Sequence, residues 1–163
     1  MDNTSFNKLI DRFLRRIEKD RDFFTYYNVD PEEAMSLAYQ QATGYIYDAI
    51  DLLVDRCTPQ IDFYDYDKEV EHFNFKLTSR EIGLLSSLMR EVYFDRELSL
   101  LKAFQVSLTP NDLRIFSPAN ERKTFVEMVD GIKADNHNRI SKYVAEDRET
   151  GLPRLIDYAY GQF

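Results

Sequence analysis

The chain has 163 residues, of which 44% are hydrophobic and 14% aromatic, so its composition supports one domain with a core and excludes an intrinsically disordered protein. Its formal net charge is −8, from 29 acidic and 21 basic residues. That balance argues against tight nucleic-acid binding by the chain alone, because holding a polyanion takes clustered Lys and Arg.

Two stretches near the start carry apolar residues at helical spacing, and each predicts an amphipathic helix. The first stripe comprises Phe6, Leu9, Ile10, Phe13, Leu14 and Ile17. The second helix is predicted to begin at Asp30 and Pro31, because an acidic residue can cap free backbone N–H groups and proline fits the first helical turn. We expect it to end before Thr58 and Pro59.

Two further long helices are predicted after an insert. Thr78 and Glu81 have the spacing of a capping box and indicate the start of the third helix. Ser117 and Pro118 indicate the start of the fourth. Asn136 occupies a position on the apolar stripe of the fourth helix where a hydrophobic side chain would be expected.

These patterns predict a mainly α fold. It consists of a bundle of about four long helices, with a small β-hairpin or extended insert between helices 2 and 3 and an extended C-terminal arm. The predicted domains are a helical bundle at residues 1–147, containing the insert 58–77, and a docking arm at 148–163.

The insert contains the stretch DFYDYDKEVEHFNF at residues 62–75, in which acidic and aromatic residues are mixed. Alternation at Phe73, Phe75 and Leu77 predicts a strand, and Ile61 with Phe63 is a candidate for a second, shorter one. The stretch either packs its aromatics on its own bundle or projects them towards a neighbouring subunit. The candidate contact residues for a neighbour are Phe63, Tyr64, Tyr66, Phe73 and Phe75.

The same stretch resembles a calcium loop only at its start. Asp65 and Asp67 give the D-x-D beginning, but a calcium loop needs glycine at its sixth position and glutamate at its twelfth. Val70 and Lys76 stand there instead. The sequence therefore predicts no metal site in the insert.

Other residue types that could carry chemistry form no recognised pattern. The two histidines, His72 and His137, have no Cys or His partner at ligand spacing. Cys57 is the single cysteine, so it can form no internal disulfide, and it lies in no nucleophile signature. The sequence has no glycine-rich phosphate loop. We therefore expect no catalytic residues, no metal, no cofactor and no enzymatic activity.

The last residues are too short and too interrupted for an independent helix, yet too apolar for a solvated tail. They either wrap on their own bundle or act as an arm that anchors in pockets of another protein. The candidate docking residues are Leu152, Leu155, Ile156, Tyr158, Tyr160 and Phe163. No stretch has the length of a signal peptide or a membrane span, so we expect a soluble protein made in the cytoplasm.

The order of several blocks resembles the head–tail connector (adaptor) proteins of tailed bacteriophages, particularly those of Gram-positive hosts. The blocks are AYQQATGYIYDAIDLLVDRCTP, DFYDYD, FNFKLTSREIGLLSSLMREVYFDRELSLLKAF and FSPANERKTF. The resemblance covers about residues 6–160 and rests on block order and on phrases such as SPANERKTF. The insert and the fourth helix are longer here than in the smaller connector proteins.

The resemblance implies a structural virion protein in the phage neck. Such adaptors form a ring, typically a dodecamer, below the portal protein, and DNA passes through its lumen without specific binding. Their C-terminal arms dock on the portal. By position, this arm corresponds here to the segment after Asp147. Their other face receives the stopper or tail-completion protein. They catalyse nothing and do not bind a membrane.

A second function class stays open on the sequence. A small acidic helical protein can act as a binding module that regulates a phage or host enzyme, for example by imitating the charge of DNA. That function would be favoured if the acidic side chains were concentrated on one face.

Overall fold

The computed structural model describes residues 3–17, 28–107 and 119–154. These residues confirm a mainly helical fold with a small antiparallel sheet. The helices are α1 (Asn7–Ile17), α2 (Pro31–Arg56), α3 (Ser79–Ser107) and α4 (Ala119–Ala145). The strands are β1 (Thr4–Ser5), β2 (Tyr66–Asp67) and β3 (His72–Phe73).

Helix α3 is the central element, because it packs against α1, α2 and α4. Its residues Leu85, Leu88 and Met89 are almost completely buried. The small side chains of α2 that face the core, Ala42 and Ala49, are also fully buried. Removing a Leu or Ile side chain from water contributes roughly 1.5–3 kcal/mol, so this apolar cluster is the main source of stability.

The predicted capping box at the start of α3 is confirmed. The backbone N–H of Glu81 donates to the Thr78 hydroxyl (3.2 Å), and the backbone N–H of Thr78 donates to the Glu81 carboxylate (2.7 Å). The start of α2 differs in detail from the expectation. Asp30 is the N-cap residue and Pro31 follows it, but the Asp30 carboxylate makes no capping hydrogen bond.

The insert forms a hairpin, but its strands differ from the predicted ones. Strand β3 pairs with β2 on one side and with β1, from the chain's N-terminal part, on the other. The Asp67 carboxylate accepts hydrogen bonds from the backbone N–H groups of Glu69 and Val70, which closes the turn. The residues from Asn74 onward leave the strand, and the Leu77 N–H donates to the buried Thr4 hydroxyl instead (2.9 Å).

The polar residue in the apolar stripe of α4 has hydrogen-bond partners. Asn136 is completely buried; its amide donates to the Ser87 carbonyl (3.1 Å) and to Glu91 (2.8 Å), and its carbonyl accepts from the Ser87 hydroxyl (2.6 Å). Glu91 also pairs with Arg56 of α2 at 2.6 Å. A polar residue is tolerated at this buried position because its hydrogen bonds to Ser87 and Glu91 satisfy its amide group and join α4 to α3.

Among the described residues, no helix is long and apolar enough to cross a bilayer.

Candidate interaction surfaces

The five aromatic residues expected to meet a neighbour are divided between core and surface. Phe63 and Phe73 are completely buried in their own subunit, and the Phe73 ring lies 5.0 Å from that of Phe6. Tyr66 and Phe75 are half-buried. Tyr64 is 48% exposed. Packing on the bundle therefore accounts for Phe63 and Phe73, whose rings no neighbour can reach, while the contact prediction stays open for the other three.

The chain reverses direction at residues 146–154, which we name the C-terminal turn. The Asp147 carboxylate accepts hydrogen bonds from the Thr150 N–H and hydroxyl (2.9 Å each), and these bonds lower the pKa of Asp147. Glu146 and Pro153 form an antiparallel bridge. Gly151 occupies the left-handed region (φ 68°), which a residue with a Cβ adopts only at a cost.

Arg148 attaches this turn to the bundle. Its guanidinium donates to both carboxylate oxygens of the fully buried Glu81 (2.7 and 3.1 Å) and to the Lys76 carbonyl (2.6 Å). The Arg148 side chain also lies over the Phe75 ring, 5.9 Å from its centroid. These contacts raise the pKa of Arg148 above its usual value, chiefly through the hydrogen bonds to Glu81.

The turn places one predicted docking residue at the surface. Leu152 is 65% exposed. The remaining residues of the predicted docking set lie outside the described part of the chain: Leu155, Ile156, Tyr158, Tyr160 and Phe163. The predicted arm begins at residue 148, and its first residue, Arg148, is bound to the bundle, while the Arg154 N–H donates to the Ala145 carbonyl at the end of α4 (2.8 Å).

Helix α2 presents three exposed carboxylates at positions i, i+3 and i+7, which we name the acidic row: Asp48, Asp51 and Asp55. They line an open cleft of about 410 Å³ between α2 and α3. Two other acids there are paired, Glu91 with Arg56 and Asp95 with Lys133 (2.6 Å each).

Within the described ranges, no residue of the acidic row forms an ion pair. Partial burial and the neighbouring charge of Asp51 raise the pKa of Asp48. The Tyr64 hydroxyl donates to Asp51 (2.9 Å), so the exposed aromatic of the insert lies beside this row.

Cationic side chains collect around α1. Two adjoining open clefts share Arg12, and we name them together the basic cleft. Seven cationic and two acidic side chains line it. Six of the cations come from α1 and α4: Lys8, Arg12, Arg15, Arg16, Arg139 and Lys142. Both acids are occupied, since Asp11 accepts from the Tyr39 hydroxyl (2.6 Å) and Glu146 pairs with Arg80.

The two charged clefts lie on different parts of the subunit. Gly83 lines the basic cleft and Asp95 the acidic one. The helical repeat separates these two positions by about 18 Å along α3 and about 120° around its axis. One subunit therefore presents patches of opposite charge in different directions.

The His72 and Cys57 side chains each contact a backbone carbonyl that is near in sequence. The His72 ring nitrogen Nδ1 contacts the Val70 carbonyl, and the Cys57 thiol donates to the Leu53 carbonyl (3.2 Å). Burial raises the pKa of Cys57, which disfavours the reactive thiolate. Within the described ranges, no group of three or more His, Cys, Asp or Glu side chains is placed to hold a metal ion.

The fold and these surfaces define a mainly helical protein with a three-stranded antiparallel sheet and two oppositely charged faces. Searches against protein-family models, curated proteins and solved structures found no match to this chain.

Sequence reasoning did not foresee the basic cleft, although part of its signal is in the sequence. Lys8, Arg12 and Arg15 recur at i, i+4 and i+7, which places three cations on one face of α1. The convergence of Arg139 and Lys142 on the same cleft depends on how α4 packs, which spacing within one helix does not reveal.

Proposed function

We propose that this chain is a structural virion protein of a tailed bacteriophage, a head–tail adaptor that forms a ring between portal and tail. The ring surrounds the DNA channel, docks on the portal protein through the C-terminal segment and receives the stopper or tail-completion protein on its other face. DNA passes through its lumen without specific binding. The order of sequence blocks motivates this proposal, and two structural observations support it.

The observation that carries the proposal is the anchored root of the C-terminal segment. Arg148 fixes the chain to buried Glu81 on the bundle, and Leu152 stands exposed a few residues later. The following sequence contains the other five residues of the docking set, of which three are aromatic. A fixed root limits the positions that a following arm can reach, which lowers the entropy lost when its aromatics enter pockets on a partner.

Charge distribution also suits a ring that DNA must traverse. The net charge of −8 makes the assembly repel a polyanion, so DNA would not be retained during passage. The opposite charges of the two clefts give one subunit different faces for its two neighbours.

Cryo-electron microscopy of the neck of purified virions tests the proposal. We expect a ring of this chain directly below the portal. A neck that lacks the chain would overturn the proposal, whatever the isolated protein does in solution.

Deleting residues 155–163 tests the docking assignment separately. The deletion leaves the C-terminal turn and the Arg148–Glu81 pair in place, so the bundle should keep its melting temperature while the protein loses portal binding in a co-purification. A control with Lys123→Glu, an exposed change on α4, should bind like the wild type. Retained portal binding by the truncated chain would refute the arm assignment.

The acidic row favours a second candidate, a binding module that regulates a phage or host enzyme, because it concentrates three carboxylates on one helix face. The basic cleft on the same subunit counts against imitation of DNA, which is uniformly negative. A pull-down from infected cells that recovers a polymerase or nuclease and no portal would favour this candidate.

A further inference from the structure

The two charged faces have matching spacings. The basic row consists of Lys8, Arg12 and Arg15 on α1, at intervals of four and three residues. Read in reverse, the acidic row consists of Asp55, Asp51 and Asp48, also at intervals of four and three. Each row spans about 10 Å of helix, and all six side chains are exposed.

Both rows carry like charges that the described part of the subunit leaves without an ion pair. Behind the basic row, Arg16 is half-buried with its guanidinium donating to the Gly83 carbonyl (3.4 Å). Desolvation and the charges of Arg139, Arg12 and Arg90 lower the pKa of Arg16. Like charges at i, i+3 and i, i+4 destabilise a helix, so each row would be stabilised by a partner of opposite charge.

We infer that the basic row of one copy of this chain binds the acidic row of the next copy, with α1 antiparallel to the neighbour's α2. In this register Lys8 meets Asp55, Arg12 meets Asp51 and Arg15 meets Asp48 of the neighbouring copy. The inference deepens the proposed ring and rests on that proposal for the ring's place in the neck.

The positions of the two rows determine the symmetry of the assembly. The contact joins two different surfaces, so each subunit uses one face towards the preceding copy and the other towards the next. Such heterologous contacts repeat head to tail and close into a ring when the rotation per subunit allows it.

A second copy fits the basic row better than nucleic acid does. The whole chain carries a net charge of −8, which opposes a polyanion at long range. The acidic row supplies three carboxylates at the matching spacing, and Tyr64 beside Asp51 adds an exposed aromatic to the same face.

Paired charge reversals test the inference on the full-length protein by sedimentation equilibrium. One variant reverses the outer basic positions (Lys8→Glu with Arg15→Glu), and one reverses the outer acidic positions (Asp48→Lys with Asp55→Lys). Asp51 is left unchanged to keep its hydrogen bond to Tyr64. The fourfold variant carries all four changes and restores opposite charges with the polarity exchanged.

We expect the wild type to associate at low salt and less at high salt, because exposed charges are screened. Each double variant should associate roughly tenfold or more weakly, since like charges then face each other. The fourfold variant should regain association. Should a reversal unfold the chain, the milder double variant Lys8→Gln with Arg15→Gln tests the same contact and should also associate more weakly than the wild type. The control Lys102→Glu with Lys123→Glu changes the net charge by the same amount as the basic-row reversal, on exposed side chains outside both rows, and should behave as the wild type.

A wild type that stays monomeric at low salt and high concentration would overturn the inference, as would double variants that associate like the wild type. Binding of a short DNA duplex that the Lys8 and Arg15 changes abolish, without self-association, would assign the row to nucleic acid instead. A neck ring that assembles normally from either double variant would refute this interface and leave the proposed function standing.

Discussion

Arg148 forms a two-point ion pair with Glu81, although 67 residues separate them in sequence. The pair joins the C-terminal turn, at a position three residues beyond the end of α4, to the capping box of α3. The Tyr143 hydroxyl also donates to Glu81 (3.0 Å), and burial, together with the charge of Glu81, raises the pKa of Tyr143. The buried Glu81 carboxylate thus connects the start of α3, the end of α4 and the C-terminal turn through hydrogen bonds.

Replacing Arg148 by alanine should destabilise the protein by roughly 2–3 kcal/mol. Glu81 would lose its cationic partner inside the protein but keep Tyr143 and Thr78, so the cost falls below the usual 3–5 kcal/mol for breaking a buried pair. Urea denaturation measures the change. Arg154→Ala, at an exposed arginine of the same turn, should change stability by less than about 0.5 kcal/mol. An equal effect of the two changes would show that the Arg148–Glu81 pair does not contribute to the free energy of unfolding.

Replacing Asn136 by alanine should cost roughly 2–3 kcal/mol. The change leaves the Ser87 carbonyl and the buried Glu91 with fewer hydrogen-bond partners, and an unsatisfied buried polar group costs about 1–3 kcal/mol. Thermal unfolding followed by circular dichroism measures the loss. The exposed Asn138 of the same helix provides the control, and Asn138→Ala should leave the melting temperature nearly unchanged.

Replacing Thr4 by valine should loosen the contact between β1 and the insert. The valine keeps the shape of the side chain but removes the oxygen that accepts the Leu77 N–H, at a cost of about 1–3 kcal/mol. Amide exchange should become faster at Leu77. The exposed Thr58→Val serves as the comparison, and unchanged exchange at Leu77 would contradict the assigned bond.

Replacing Asp48 by asparagine should raise stability at neutral pH by a few tenths of a kcal/mol at low salt, because it removes one repulsion within the acidic row. The folded-state pKa of Asp48 is raised, so its charge is unfavourable to the fold above that pKa and the penalty disappears as pH falls below the unfolded-state value. The gain should therefore be present at pH 7 and absent near pH 3. A gain that persists at pH 3 would point to a cause other than charge.

Sequence patterns predicted the helices well and the insert poorly, for physical reasons. Helical periodicity and the capping box are local, so the cap of α3 at Thr78 could be placed from the residues themselves. The sheet depends on β1, which has only two residues. They form a strand only because they pair with β3, which is far along the chain. The convergence of Arg12 and Arg139 likewise depends on how two distant helices pack.

The Arg148–Glu81 pair also has a consequence for the order in which the chain becomes stable during synthesis. A ribosome makes Glu81 well before Arg148, because it adds only about 5–20 residues per second. For several seconds the Glu81 carboxylate therefore has no cationic partner, and it must either stay in water or be buried without one. The buried surroundings of Glu81 are therefore complete only after the C-terminal turn has been made, so closing this part of the helical core is a late step.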